Sequence, residues 1–262
     1  HFVVLTYAGA DPPVVIALGE STDHGVALLN RMLTTGLLST RFYSHLSLGL
    51  SESLVGDYCP EHHGQYCKMG LSDRNVANSV DTSLAQLLLP AHLPEIEAFY
   101  RVHYPGNWFD SRMLDTRQTF GIWSASTADS DGELVAIAGV HVYSVTYRVA
   151  ALGNIAVHLD HRGKGLARLV TAALVKSLLS EGIQHIGLNV LADNGAAVAC
   201  YKRLGFIQIA QFEERTPPIE QPTPQDVEKE ILIEQERFLR SVPNLRRMVS
   251  YARTGEASIE LE

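Results

Sequence analysis

Between His161 and Leu169 the chain reads HRGKGLARL, setting Gly163 and Gly165 among three cations, Arg162, Lys164 and Arg168, in a chain of net charge −8. Glycines let a backbone approach a ligand closely, and a helix starting here would present unpaired N–H groups at the positive end of its dipole. That is the chemistry of an anion cradle, with phosphate as the natural guest. The stretch is neither a GxxxxGK loop nor the three-glycine dinucleotide fingerprint. It is Arg162-x-x-Gly165-x-Ala167, a third spacing that keeps the same cradle chemistry. Asn194 and Tyr201 stand about two helical turns apart and share a helix face, where a phenol still protonated at neutral pH suits general-acid work. Cys200 beside it reads as a small packing residue. A rival constellation, CPEHHGQYC, offers Cys59, His62, His63 and Cys67. Zinc sites bring short pairs together from separated segments, whereas these four are crowded around Pro60 and Gly64, so a connecting loop and no metal are expected.

The elements that must hold these residues are readable in the second half. LVAIAGVHVYS, after the turn signal DSDG, and VAALGNIAV read as paired strands. From Gly165, the spacing of Leu166, Leu169, Val170, Ala173, Leu174 and Leu178 predicts a helix that Gly182 stops. HIGLNV follows as a strand. Asn194 caps a second helix carrying Ala197, Val198, Tyr201 and Leu204, Gly205 ends it, and FIQIAQF is the next strand. Upstream, SLAQLLL and RQTFGIW read as strands around the helix LPEIEAFYRVHY. The first eighty residues hold a helix from Asp23 to about Thr35 and strand-like RFYSHLSL and QYCKMGL. After Glu214 come a Pro-rich linker, a charged helical stretch over about 226–240 and a polar end.

Taken in order, GNIAV, HRGKGLA, IGLNV and NGAAVACYKRLGF, the last fitting N-x-x-A-x-x-x-Y-x-x-x-G-F, resemble the GNAT superfamily of acyl-CoA-dependent N-acyltransferases. VAALGNIAVHLDHRGKGLA is similar to its FR47-like branch, in which a degenerate N-terminal GNAT-like half precedes the catalytic one. The resemblance implies an α/β (α+β) fold with a mixed, mostly antiparallel central sheet flanked by helices. It implies a degenerate half at residues 1–82 and a catalytic, acyl-CoA-binding domain at 83–214, leaving 215–262 as linker and helical tail. Main-chain atoms of Ile155, Ala156 and Val157 would pair with the pantetheine arm where their strand splays from its neighbour. Arg162, Gly163, Lys164, Gly165, Leu166 and Ala167 would surround the pyrophosphate. Asn194 would reach the cofactor arm, and Tyr201 would bind there and protonate the departing thiolate.

Many members place Glu where this chain has Asn154. Asn cannot act as a base, although it can hold a relaying water. His141, His158 and Asp110 are the remaining candidates. YPGNWFDSRML, with Trp108, Phe109, Asp110, Arg112 and Met113, falls where the family builds its acceptor pocket, and aromatic rings with a carboxylate suit an amine. The same rings would serve equally as core. The implied function is acetyl-CoA-dependent N-acetyltransfer to an amine of a small molecule or peptide by direct attack in a ternary complex. The acetyl-CoA is the donor and no metal is needed. A non-catalytic acyl-CoA-binding or sensing module is the alternative, and transfer of a longer acyl chain a third reading.

Composition narrows the classes. With 46% hydrophobic and 19% charged residues the chain reads as an ordinary globular protein, and no apolar run is long enough to span a bilayer. The acidic balance argues against nucleic acid as partner, because phosphate backbones need a basic face, and favours amines. Three cysteines are too few for a disulfide framework, which fits a reducing, cytoplasmic setting. No signal-like segment opens the chain, and His1 in place of Met suggests a processed or tag-derived start. A homodimer is among the assembly states this composition allows.

Overall fold

The computed structural model describes residues 2–8, 12–19, 22–38, 42–51, 61–124, 132–216, 248–253 and 256–261. They fall in two compact units, residues 1–55 with 62–215 and residues 56–61 with 216–262. In the larger unit the order is β1 (Val4–Tyr7), β2 (Val14–Ala17), α1 (Thr22–Thr34), β3 (Tyr43–Ser47), β4 (Glu61–Leu71), α2 (Arg74–Asn78), β5 (Ala85–Leu87) and α3 (Leu93–His103). Then follow β6 (Phe120–Trp123), β7 (Leu134–Ser144), β8 (Val149–Val157), α4 (Leu166–Ser180), β9 (His185–Leu191), α5 (Gly195–Lys202) and β10 (Phe206–Thr216). The smaller unit is described by one hairpin, β11 (Met248–Arg253) paired with β12 (Glu256–Leu261).

The ten strands of the larger unit form one sheet in the order β1-β2-β3-β10-β4-β9-β8-β7-β6-β5. β2 with β3 and β8 with β9 run parallel, while β1–β2, β3–β10, β4–β9 and the ladders from β8 out to β5 run antiparallel. This is the expected mixed, mostly antiparallel α/β architecture. β4, from the first eighty residues, lies between β10 and β9, so the sheet runs unbroken across residue 82.

Local sequence explains the elements that matter for the site. The apolar spacing of α4 buries Val170, Leu174 and Leu178 against Ala136, Ala138 and Leu152 of the sheet. The helix ends as expected at Gly182, at φ +80°, where Ile183 N–H donates to Leu178 and Gly182 N–H to Leu179. On the other face α3 packs Ile96, Phe99 and Tyr100 against Leu134 and Ile137. Several features went unread in sequence: β1, β2, α2, the 3₁₀ turn Ser111–Thr116 and the terminal hairpin, all short. The expected helix over 226–240 lies outside the described residues, as do Cys59 and the side chains of His62 and His63. Cys67 is buried in the core, and no metal-binding cluster occurs among the described residues.

Candidate active site

β8 and β9 are paired only from Val149↔His185 to Leu152↔Leu188. Beyond that point β9 stays with β4, through Lys68↔Asn189 and Tyr66↔Leu191, while β8 stays with β7, through Ile137↔Ala156 and Ala136↔Val157. The two strands therefore part at Gly153, and Ile155, Ala156 and Val157 border the gap. His158 N–H donates to Val135, which fixes the alternation of the antiparallel ladder. Val157 accordingly turns its own N–H and C=O away from β7 and into the gap.

The parting begins at a bulge. Asn154 sits at φ +54°, the left-handed region, and the β7–β8 register shifts beside it. The side chain is buried and committed. Its Oδ1 meets His141 Nε2 at 3.0 Å and accepts from Asn107 Nδ2 at 3.4 Å, and its Nδ2 donates to Met113 Sδ. Its backbone carbonyl accepts from the Tyr100 hydroxyl at 2.8 Å. His141 lies across Gly153, where any Cβ would sit 2.5 Å from the ring, and meets Trp108 edge-on.

At the far end of the gap, His161–Leu169 forms the turn into α4. Gly163 and Gly165 both take left-handed φ, at +76° and +79°, and each α-carbon faces open space. Gly165 is the N-cap and has no side chain to satisfy the first N–H groups of the helix, so those of Leu166 and Ala167 remain free for an anion. Arg162 and Lys164 are exposed beside them, and Arg162 Nε reaches back to the Val157 carbonyl at 3.5 Å. The residues thus fit a diphosphate at the turn and an extended arm along β8.

Asn194 caps α5, its Oδ1 accepting from Ala197 N–H, which leaves the amide N–H₂ as donor for a ligand. Tyr201 is buried in the core against Phe206. Burial, seconded by Cys200 and Tyr104, pushes its phenol well above the ordinary value, so it stays protonated. Tyr104, just past α3, is the common neighbour of several phenols: it opposes ionisation of Tyr100, Tyr201 and Tyr66, which come from α3, α5 and β4. Nothing in the sequence pattern links these four residues beyond the i, i+4 spacing of Tyr100 and Tyr104. A cleft of about 320 Å³ opens beside Tyr100 and Tyr104, lined also by Glu97, Arg101, Asn107 and Phe109.

The candidate bases separate clearly. Asp110 caps the 3₁₀ turn and grips Arg112, whose hydrogen bonds hold its carboxyl down at about 2, too weak a base to take a proton from an amine. His158 uses Nδ1 to accept from Asp160 N–H and packs its ring, tilted, against His103. His141 alone of the three touches the bulge at position 154.

Residues 86–206 match the model of the acetyltransferase (GNAT) family, and the chain carries a GNAT acetyltransferase domain. Among curated relatives, it is 37% identical over 76 residues to the [ribosomal protein bS18]-alanine N-acetyltransferase of Escherichia coli K12, covering 29% of this chain and 49% of that protein. It is 37% identical over 106 residues to the mycothiol acetyltransferase of Kocuria rhizophila, covering 38% and 31%. The chain thus spans less than half the length of these relatives. A GNAT-family acetyltransferase of known structure from Colwellia psychrerythraea superposes with TM-score 0.53 at 15% identity, over 77% of each chain, and shares the fold. No described helix is long and apolar enough to cross a membrane.

Proposed function

We propose that the protein is an acetyl-CoA-dependent N-acetyltransferase acting on an amine of a small molecule or peptide in a cytoplasmic setting. Residues 83–214 are its catalytic part, and residues 1–82 a degenerate GNAT-like half that shares the sheet. The observation that carries this reading is the parting of β8 from β9 in line with the open turn at Gly163 and Gly165. Acetyl-CoA, when bound, supplies the acetyl group as a thioester. The N–H groups of Gly163 to Ala167, with Arg162 and Lys164, hold the diphosphate. The outward N–H and C=O of Val157 pair with the extended arm as an added strand would, Ile155 and Ala156 border it, and the Asn194 amide donates to it.

His141 takes the amine proton. With Nε2–H donated to Asn154 Oδ1, its Nδ1 lone pair is the acceptor, so Asn154 positions a base instead of being one. Tyr201, kept neutral by burial, gives its hydroxyl proton to the departing sulfur. The rival reading, an acyl-CoA sensor, rests on the carboxylate missing at 154.

Calorimetric titration with acetyl-CoA, run beside a Gly165→Glu variant, tests the site. Binding lost in the variant supports the cradle, whereas equal binding by both removes it. Release of CoA on adding amines then separates transferase from sensor.

A further inference from the structure

The cleft beside Tyr100 and Tyr104 carries two charges that the transfer chemistry above does not use. Glu97, Tyr100, Arg101 and Tyr104 follow at the three- and four-residue spacing that sets side chains on one helix face, and all four line the cleft of about 320 Å³. Glutamate four residues before a cation is the favourable order for an ion pair on a helix. Here no ion pair joins Glu97 to Arg101, and neither side chain makes an ion pair or hydrogen bond with another of the described residues. Both are exposed to the cleft. A row of rings stands with them, Phe109 at 5.3 Å from Tyr100 and Tyr104 edge-on at 6.5 Å.

The same cleft adjoins the reacting centre. The Tyr100 hydroxyl donates to the Asn154 carbonyl at 2.8 Å, and Asn107, also in the lining, donates to Asn154 Oδ1, the atom that meets His141 Nε2. The proposed base is thus two hydrogen bonds from the cleft, roughly 6 Å. β8 parts from β9 at this bulge as well, so the cleft and the gap meet at position 154.

A carboxylate and a guanidinium therefore stand one helical turn apart, each without a partner, on the wall of a cleft. The smallest group that answers both carries a cation and an anion on one carbon, as the ammonium and carboxylate of an α-amino acid do. Arg101 takes the carboxylate with its planar fork and Glu97 takes the ammonium. An ammonium held by a carboxylate keeps its proton and has no lone pair for a thioester, so the reacting nitrogen must lie elsewhere in the molecule. We infer that the cleft is the head-group site for an amino acid with a second amine in its side chain, and that this side-chain amine is the one acetylated. The inference rests on the acetyltransferase reading above and gives it a substrate class. A chain of four methylenes spans the roughly 6 Å from the cleft to His141. In the transfer the side-chain nitrogen bonds to the acetyl carbon as the carbon–sulfur bond breaks. The nitrogen's proton passes to His141, and the thiolate takes the Tyr201 hydroxyl proton.

The test gives the full chain lysine, cadaverine, which is lysine without its carboxylate, and aminocaproate, which is lysine without its α-ammonium, and follows CoA release. The KM for lysine should be lower than for either by roughly tenfold. Arg101→Gln should erase the advantage over cadaverine and Glu97→Gln the advantage over aminocaproate, with kcat unchanged; both positions are exposed and leave the gap, the cradle and His141 untouched. Equal KM values in the parent, advantages that survive the substitutions, or a product carrying its acetyl on the α-nitrogen would overturn the head-group site. Norleucine has the same head group and no side-chain amine, so it reads the site without turnover. Calorimetry with the CoA-loaded protein should show norleucine binding that Arg101→Gln abolishes. Norleucine bound through Arg101 while no amine is acetylated refutes the transferase and keeps the head-group site, whereas all three amines acetylated alike does the reverse.

Discussion

Substituting Gly153 by Ala isolates the proposed base from the rest of the site. A Cβ at this position would lie 2.5 Å from Cγ, Cδ2 and Cε1 of His141. Carbon atoms in contact rest at about 3.5–4.0 Å, so the ring must withdraw by at least about 1 Å. Its bond to Asn154 Oδ1 is 3.0 Å long, and that withdrawal takes it past the range of a hydrogen bond. Because His141 is exposed, the ring can swing into solvent instead of straining the core, and the stability cost is limited to about 1 kcal/mol for the lost bond. A positioned general base contributes about 10²–10⁴ in rate, so kcat should fall at least about 100-fold. The acetyl-CoA Kd should hold, since the cradle lies at residues 162–167. Steady-state CoA release and calorimetry measure the two quantities. His141→Gln should match the loss, and the double variant should lose little more, because both changes remove one function. A Gly153→Ala protein that keeps kcat within about threefold of the parent, with a normal melting curve, would refute His141 as the base.

Three further outcomes are expected. Tyr201→Phe should lower kcat by about 10–100-fold with unchanged acetyl-CoA affinity, and because burial raises this phenol the parent should show no loss of its acid below about pH 10; a rate unchanged by the substitution removes the role. Asp110 should titrate at about 2 by carbon-detected NMR and return toward the ordinary carboxylate value in Arg112→Gln. Since its folded-state value is depressed, the contribution of the pair is present above the unfolded carboxylate range and disappears as pH falls through about 2. Gly205→Ala should lower Tm by several degrees, because Gly205 sits at φ +89° with the Asp73 carbonyl where a Cβ would go, a strain of about 2–4 kcal/mol. A melting curve matching the parent would contradict the packing of that joint.

The parts legible in sequence are those set by contiguous residues. The α4 turn is one: two glycines, flanking cations and an apolar spacing specify an open helix start without help from elsewhere in the chain. The same holds for the Asn194 cap and for the alternation of β9. The shorter or register-dependent features were hidden. β1 and β2 are four residues each and owe their order to a neighbouring strand. The place of β4 between β10 and β9 depends on pairing across more than 100 residues of chain, which no local pattern encodes.

Position 154 shows why residue-by-residue reading falls short at the site. Taken alone, Asn in place of Glu is a base deleted. The bulge at Asn154 changes its meaning, because the left-handed φ and the Tyr100 bond to its carbonyl set the side chain against the adjacent strand, where it meets His141. Gly153 is the condition for this meeting, since any other residue would fill the space of the ring. Three residues that look unrelated in sequence, Gly153, Asn154 and His141, thus form one device, in which an amide fixes the tautomer of an imidazole. On the proposed reading the carboxylate is absent from 154 because proton acceptance has moved one strand over, and the sensor alternative loses its main support if the Gly153→Ala and His141→Gln losses coincide.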